Sequence, residues 1–287
     1  MNIVDKIFVS IAEKIKIADK RKQKVKEYKK NKQELDKNEK LNNSQSGRCF
    51  IFGNGPSIKN IDFGQFENED VFVVNLIANH VQFKKLKPKY YVMVDPFLLS
   101  AEDSNKDRID KVIEVGKNNP GVKYFFPTKV QENYYCRIIE KNSEIYFLKS
   151  VLRLIDFMND DPSLSKSIPD YGNVVLYAIY IAICLGYKAI YLLGCDETSI
   201  LTLINAHRGY VDDSAYGYHL SEEEKKRIIS TSTILPFDKS LSIMNETFKD
   251  FSLMKKYGEK YDVKIYNCCK ESLLKCYDFI ALEDVLQ

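Results

Sequence analysis

A few short clusters hold the side chains best suited to chemistry. The first, Gly53-Asn54-Gly55-Pro56-Ser57, follows an apolar run at once. Its glycines let a backbone approach a ligand and adopt positive φ. Amides at a following helix start, with Pro56 near its first position, can hold an anion such as a phosphate. Asn54 adds an amide that both donates and accepts. The spacing is neither G-x-G-x-x-G nor a Walker A loop. An ordinary Gly-Pro turn would also account for it. Asn75 and Asp95-Pro96 end two later apolar runs and could hydrogen-bond a ribose or a base, or else cap the next helix. Asp170-Tyr171-Gly172-Asn173 precedes a long apolar run whose N-terminus could hold a second anionic group, and Asp196 closes another run. Residues 197–220 are irregular and mostly polar, and hold Tyr216, Tyr218 and two of the three histidines, His207 and His219. A loop of that length reads as a functional lid or as disorder.

The elements that must position these residues are legible as short apolar runs. Arg48–Phe52, Val71–Val74, Tyr90–Val94, Lys123–Phe126, Ile145–Leu148, Ala189–Leu193 and Val263–Tyr266 read as buried strands. Helical stretches at 102–117, 173–185 and 242–258 lie between several of them. Alternating strands and helices predict an α/β, Rossmann-like fold: a mostly parallel sheet with helices on both faces. In such a sheet ligands bind beyond the carboxyl ends of the strands, where these clusters fall.

The 287 residues suit one large domain or two small ones. A net charge of +3 is too balanced to point to nucleic acid as a partner. Seven cysteines without a C-x-x-C pair, and charges breaking up the N-terminal apolar positions, suggest reduced thiols in a cytoplasmic protein. The longest apolar run, Val174–Leu185, is too short for the ~20 residues of a membrane span. No D-x-D tripeptide occurs, so no metal site and no cofactor are expected.

Residues 1–47 carry a net charge of +6, twice that of the whole chain, so the remainder is acidic. Val4, Ile7, Phe8, Ile11, Ile15 and Ala18 form one stripe of an amphipathic helix. The expected division is a basic helical extension and linker over 1–47 and a Rossmann-like domain over 48–287, with its lid at about 197–235. Three roles compete for the extension: packing on the body or on a partner subunit of a homo-oligomer, attachment to the inner face of a membrane, and disorder.

Phe52–Ser57, Asn75 and the run Leu185–Asp196 together resemble the bacterial sialyltransferases of glycosyltransferase family 42. They also resemble a broader group of MptE-like Rossmann-type proteins from surface-polysaccharide loci. Met254–Tyr257, Val263–Asn267 and Ser272–Leu274 extend the likeness over about 49–275. The resemblance implies a metal-independent glycosyltransferase. It would bind a nucleotide-sugar donor, CMP-linked, through residues of the Gly53–Ser57 and Asn75 kind and pass the sugar to a surface-glycan acceptor. It further implies a lid histidine as base on the acceptor hydroxyl and lid tyrosines that assist the departing phosphate. His219, flanked by Tyr216 and Tyr218, fits that role, with His207 as runner-up. The chain departs from those sialyltransferases at Asp95, at Tyr171-Gly172-Asn173 and at Glu197-Thr198. The departures bear on the sugar more than on the nucleotide. Two other readings stand beside this one: a diphosphokinase using ATP and Mg²⁺, and a non-catalytic scaffold in polysaccharide assembly.

Overall fold

The computed structural model describes residues 3–96, 98–100 and 106–286, with side chains from Ile15 onward. Eight described strands form one sheet in the order β5-β4-β3-β2-β1-β6-β7-β8, every pairing parallel. They are β1 Arg48–Phe52, β2 Val71–Val74, β3 Tyr90–Val92, β4 Lys123–Pro127, β5 Glu144–Leu148, β6 Ala189–Leu193, β7 Lys264–Asn267 and β8 Asp278–Phe279. The helices are α1 Ile3–Lys30, α2 Lys32–Asp36, α3 Lys106–Asn118, α4 Tyr134–Ile139, α5 Val174–Leu185, α6 Ser199–His207, α7 Glu222–Ser232, α8 Phe237–Lys260 and α9 Leu282–Val285. The chain is thus α/β and Rossmann-like.

The strands read as unbroken apolar runs because both sheet faces are covered. Successive side chains alternate between the faces. Cys49, Ile51, Phe72 and Val74 enter one core with α5 and α8, while Phe50, Phe52, Val71 and Val73 enter the other with α3 and α4. Tyrosines and phenylalanines stack across neighbouring strands, as in Phe72–Tyr90 at 4.3 Å and Tyr91–Tyr124 at 5.4 Å between ring centroids. Helix α5 has no charged residue and is buried on nearly every side, which is what an all-apolar helix requires in water. All seven cysteines are free and five are buried.

One expectation needs correction. The stretch beginning at Glu197 is not irregular: α6 occupies Ser199–His207 and α7 follows the capping box at Ser221 and Glu224. Residues before 48 also pack on the body. Leu35, Asn38 and Leu41 are buried, and Asn38 Nδ2 donates to the carbonyls of Phe147 (2.8 Å) and Leu164 (3.0 Å). Asn43 N and Gln45 N donate to the carbonyls of Cys184 and Leu185 at the end of α5. Residues 32–47 therefore belong to the body, and only α1 extends from it.

The C-terminal half of α1 is docked. Lys20 pairs with Asp156, Lys24 pairs with Asp160 at 2.6 Å and lies over the Phe157 ring, and Glu27 meets Lys149 at 3.1 Å. The stripe members Val4, Ile7, Phe8 and Ile11 lie outside the described side chains. Ile15 and Ala18 are exposed. No described helix is long and apolar enough to cross a membrane.

Candidate functional site

The chain lays down β1 to β5 outward in one direction, then returns to add β6 on the other side of β1. That reversal of strand order falls between β1 and β6, and a crevice lies along the carboxyl edge of the sheet. A cavity of about 790 Å³ runs along that edge, bounded by the ends of β1 to β6, the N-terminus of α5, the start of α6 and the lid residues Ala215 and Tyr216. Such a volume lies within the range of small-molecule sites, roughly 300–1,000 Å³.

The β1 loop has a different logic from the one its glycines suggested. Gly53 N donates to Leu193 O (2.7 Å) and Gly55 N to Gly194 O (2.8 Å). A Cβ on Gly53 would stand 2.4 Å from Gly194 O, and one on Gly55 2.0 Å from Asp196 Oδ2. Neither glycine has positive φ. They are needed because the β1 and β6 loops touch backbone to backbone. The expected anion site is also differently filled. The turn Pro56–Asn60 is a five-residue 3-10 helix, and the Asp196 carboxylate accepts from Ser57 N (3.3 Å) and Ser57 Oγ (2.9 Å). Asp196 also accepts from Cys269 Sγ at 2.8 Å and is buried. Gly53, Pro56, Ser57 and Asp196 accordingly brace the crevice without lining it, whereas Asn54 and Gly55 line it.

Asn75, Asp95, Gly172 and Asn173 line the cavity as well. Asn75 sits in the left-handed region at φ 45°, a conformation Asn tolerates better than most residues. Its amide donates to Val92 O, and its carbonyl accepts from Tyr91 Oη. Asn54 Nδ2 makes only a long bond to Val74 O, at 3.4 Å. The side-chain oxygens of both asparagines, Asn54 Oδ1 and Asn75 Oδ1, are buried with no hydrogen-bond partner. Each such acceptor costs on the order of 1–3 kcal/mol when left unsatisfied.

Positive charge enters from Lys129 after β4; Lys149 after β5 also lines the cavity, with its ammonium paired with Glu27 of α1. Negative charge enters from Asp95, Asp170 and Glu197. Asp170 accepts from Tyr177 Oη at 2.6 Å. Among the described residues, no three His, Cys, Asp or Glu groups gather as ligands for a metal ion.

Of the residues assigned to catalysis, Tyr216 lines the cavity, and burial raises its phenol pKa. Tyr218 does not line it: its ring packs in the apolar core against Tyr216, with centroids 6.0 Å apart, and its own pKa is raised by burial. His219 also lies off the cavity. Its side chain is 82% exposed and its Nδ1 meets Asp213, whose other oxygen accepts from Leu220 N. The histidine thus meets the turn beside it and does not line the cavity. His207 is exposed against the edge of Phe237, and His80 is buried and stacked on Phe63 at 4.3 Å, with its pKa lowered by burial.

Sequence reasoning missed Lys129, Lys149 and Glu197. The signal for Glu197 was its place directly after a strand, where only the neighbouring Asp196 was singled out. The chain takes left-handed conformations at Gly194 (φ 63°) and Glu197 (φ 56°), which send the two acidic side chains different ways. Burial raises the Glu197 carboxyl to a pKa of about 7, against a smaller opposing effect from the Asn173 hydrogen bond and with Asp196 adding to the rise.

No protein-family model matches the sequence, and no curated protein matches it significantly. Among solved structures, the chain is similar to the sialyltransferase CstII from Campylobacter jejuni in complex with cytidine-5'-monophosphate. The two share 19% identity over 82% of this chain and 84% of that one, with a TM-score of 0.43. Monomeric CstII gives 19% identity over 82% and 86%, also at 0.43. The MAf glycosyltransferase from Magnetospirillum magneticum gives 14% identity over 87% of this chain and 38% of that one, at 0.47. These are likenesses of fold.

Proposed function

We propose that the protein is a glycosyltransferase that takes a sugar from a nucleotide-activated donor, CMP-linked, and transfers it to a hydroxyl of a surface glycan without a metal ion. The observation that carries this reading is the pair of unpartnered acceptors, Asn54 Oδ1 and Asn75 Oδ1, in the crevice at the carboxyl ends of β1 and β2. Ribose hydroxyls and the exocyclic amine of a base are donors that would satisfy them. Lys129 and the N-terminus of α5 line the same cavity and suit the donor's phosphate. Tyr216 would stand at the lid side of the reacting centre. The choice of cytidine, and of a surface glycan as acceptor, follows the sequence resemblance.

A thermal-shift panel of CMP, CDP, UDP, GDP and ATP, each with and without Mg²⁺, tests the reading. At a hundred times its Kd, a ligand stabilises by about 2.7 kcal/mol, which is several degrees for a chain of this length. The expected result is a shift with CMP that EDTA leaves in place. Stabilisation by ATP only with Mg²⁺ would point to a diphosphokinase instead, and no shift with any nucleotide would leave the scaffold reading.

A further inference from the structure

We propose that Glu197 is the base that takes the proton from the acceptor hydroxyl, an inference that rests on the glycosyl-transfer reading above. A base for this step must line the donor cavity, have one oxygen free toward it and be held in a fixed orientation. Glu197 lines the cavity at the β6 end. Its Oε1 accepts from Asn173 Nδ2 at 2.8 Å, and its Oε2 has no protein partner among the described residues. Asn173 is itself fixed, because its Oδ1 accepts from Val175 N at 2.8 Å as the N-cap of α5. One asparagine therefore joins the helix start to the carboxylate and sets the direction of both.

The backbone points the same way. Glu197 adopts φ 56°, a left-handed conformation that costs a bulky side chain free energy on the order of 1–3 kcal/mol. Strain of this kind persists where the surroundings over-determine it, and here it aims the carboxylate at the cavity while Asp196 turns to Ser57 and Cys269. The ionisable groups around Glu197 are Asp196, Cys195 and Tyr277. Burial holds the Cys195 thiol and the Tyr277 phenol neutral, and no described cation pairs with Glu197. Desolvation with Asp196 nearby therefore brings the carboxyl close to neutrality, to about 7, which suits a base working at physiological pH. The other carboxylates of the cavity are engaged elsewhere, Asp170 with Tyr177.

In the step itself the acceptor O–H bond breaks and its proton passes to Glu197 Oε2. The electron pair left on that oxygen forms the new bond to the anomeric carbon. The bond from that carbon to the donor phosphate oxygen breaks, and its electron pair leaves with CMP. The resulting carboxylic acid then returns its proton to solvent.

The test follows CMP release from CMP-N-acetylneuraminate, with lactose or water as acceptor, in the full-length protein. Glu197→Gln keeps the shape and the bond from Asn173. It should lower turnover by about 10²–10⁴-fold while CMP affinity changes less than about threefold. In the wild type, kcat/KM should fall below a pH near 7, and formate should restore part of the activity of Glu197→Ala. Full turnover in Glu197→Gln would overturn the inference, and loss of turnover in His219→Ala alongside it would return the role to the lid histidine. Absence of wild-type turnover with CMP-, CDP-, UDP- and GDP-sugars alike would remove the glycosyl-transfer reading, and this inference with it.

Discussion

Gly55→Ala separates two explanations of the β1 loop. If its glycines serve to admit a ligand's phosphate, the variant should lose affinity and keep its stability. If they serve to let the β1 and β6 loops touch, it should lose stability first. The new Cβ would stand 2.0 Å from Asp196 Oδ2 and 2.7 Å from Gly194 O. Contact at that range forces the loops apart. Separation sacrifices the bond from Gly55 N to Gly194 O, worth about 1 kcal/mol, and the Ser57 bond to the Asp196 carboxylate, worth about 2 kcal/mol. Keeping the loops together instead costs overpacking strain of about 1–3 kcal/mol. The cheaper route sets the loss, so a destabilisation of about 1–3 kcal/mol is predicted, or roughly 2–12 °C in Tm. Thermal unfolding followed by circular dichroism measures it. An unchanged Tm in Gly55→Ala, with nucleotide affinity lost, would refute the packing argument and restore the phosphate-approach explanation.

Other consequences are as direct. Because the folded-state pKa of Glu197 is raised, the native state binds a proton more tightly than the unfolded chain does. Its contribution is present below about pH 4.5 and is lost as pH rises through about 7. Glu197→Gln should therefore raise Tm at pH 8, by a stabilisation of order 1–3 kcal/mol, and leave it nearly unchanged at pH 4.5; equal shifts at both pH values would contradict the burial of this carboxyl. Deleting residues 1–14 should leave a folded chain, whereas deleting 1–46 should yield an unfolded or aggregating one, since it removes Leu35, Asn38 and Leu41 from the core; similar melting curves for the two truncations would return residues 32–47 to a linker. Asn38→Ala strips two carbonyls of their donor and should destabilise by about 1–3 kcal/mol in urea unfolding, with a shift below about 0.5 kcal/mol arguing that α2 and its neighbours dock loosely.

The sheet was legible because buried parallel strands write themselves as apolar runs, and β1, β2 and β6 fall on the residues the sequence marked. Strand β8 was invisible: its two residues, Asp278 and Phe279, are both exposed at the sheet edge and carry no pattern. The 32–47 segment hid for a related reason. Its buried positions, Leu35, Asn38 and Leu41, are three among many lysines, asparagines and glutamates, and the middle one is polar. The rim of the site was legible from the residues after β1, β2 and β3, where Asn54, Asn75 and Asp95 all reach the cavity. Which way a side chain leaves a strand end was not. Asp196 and Glu197 are neighbours with the same chemistry, and only the left-handed turn between strand and α6 separates a bracing carboxylate from a cavity-facing one. The histidine followed residue type rather than place: His as a residue type ordinarily titrates near neutrality, which drew the role to His219, yet that ring meets Asp213 and is largely exposed.

The central claim is that the crevice at the carboxyl edge of the sheet takes a nucleotide through the unpartnered oxygens of Asn54 and Asn75. Calorimetric titration of CMP into the wild type and into Asn54→Ala, both in EDTA, tests it most directly. The account predicts saturable binding by the wild type and a loss of about 1–3 kcal/mol, roughly 5- to 150-fold in Kd, in a variant that melts at the wild-type temperature. Equal affinity in the two proteins, or no heat of binding in either, would contradict it.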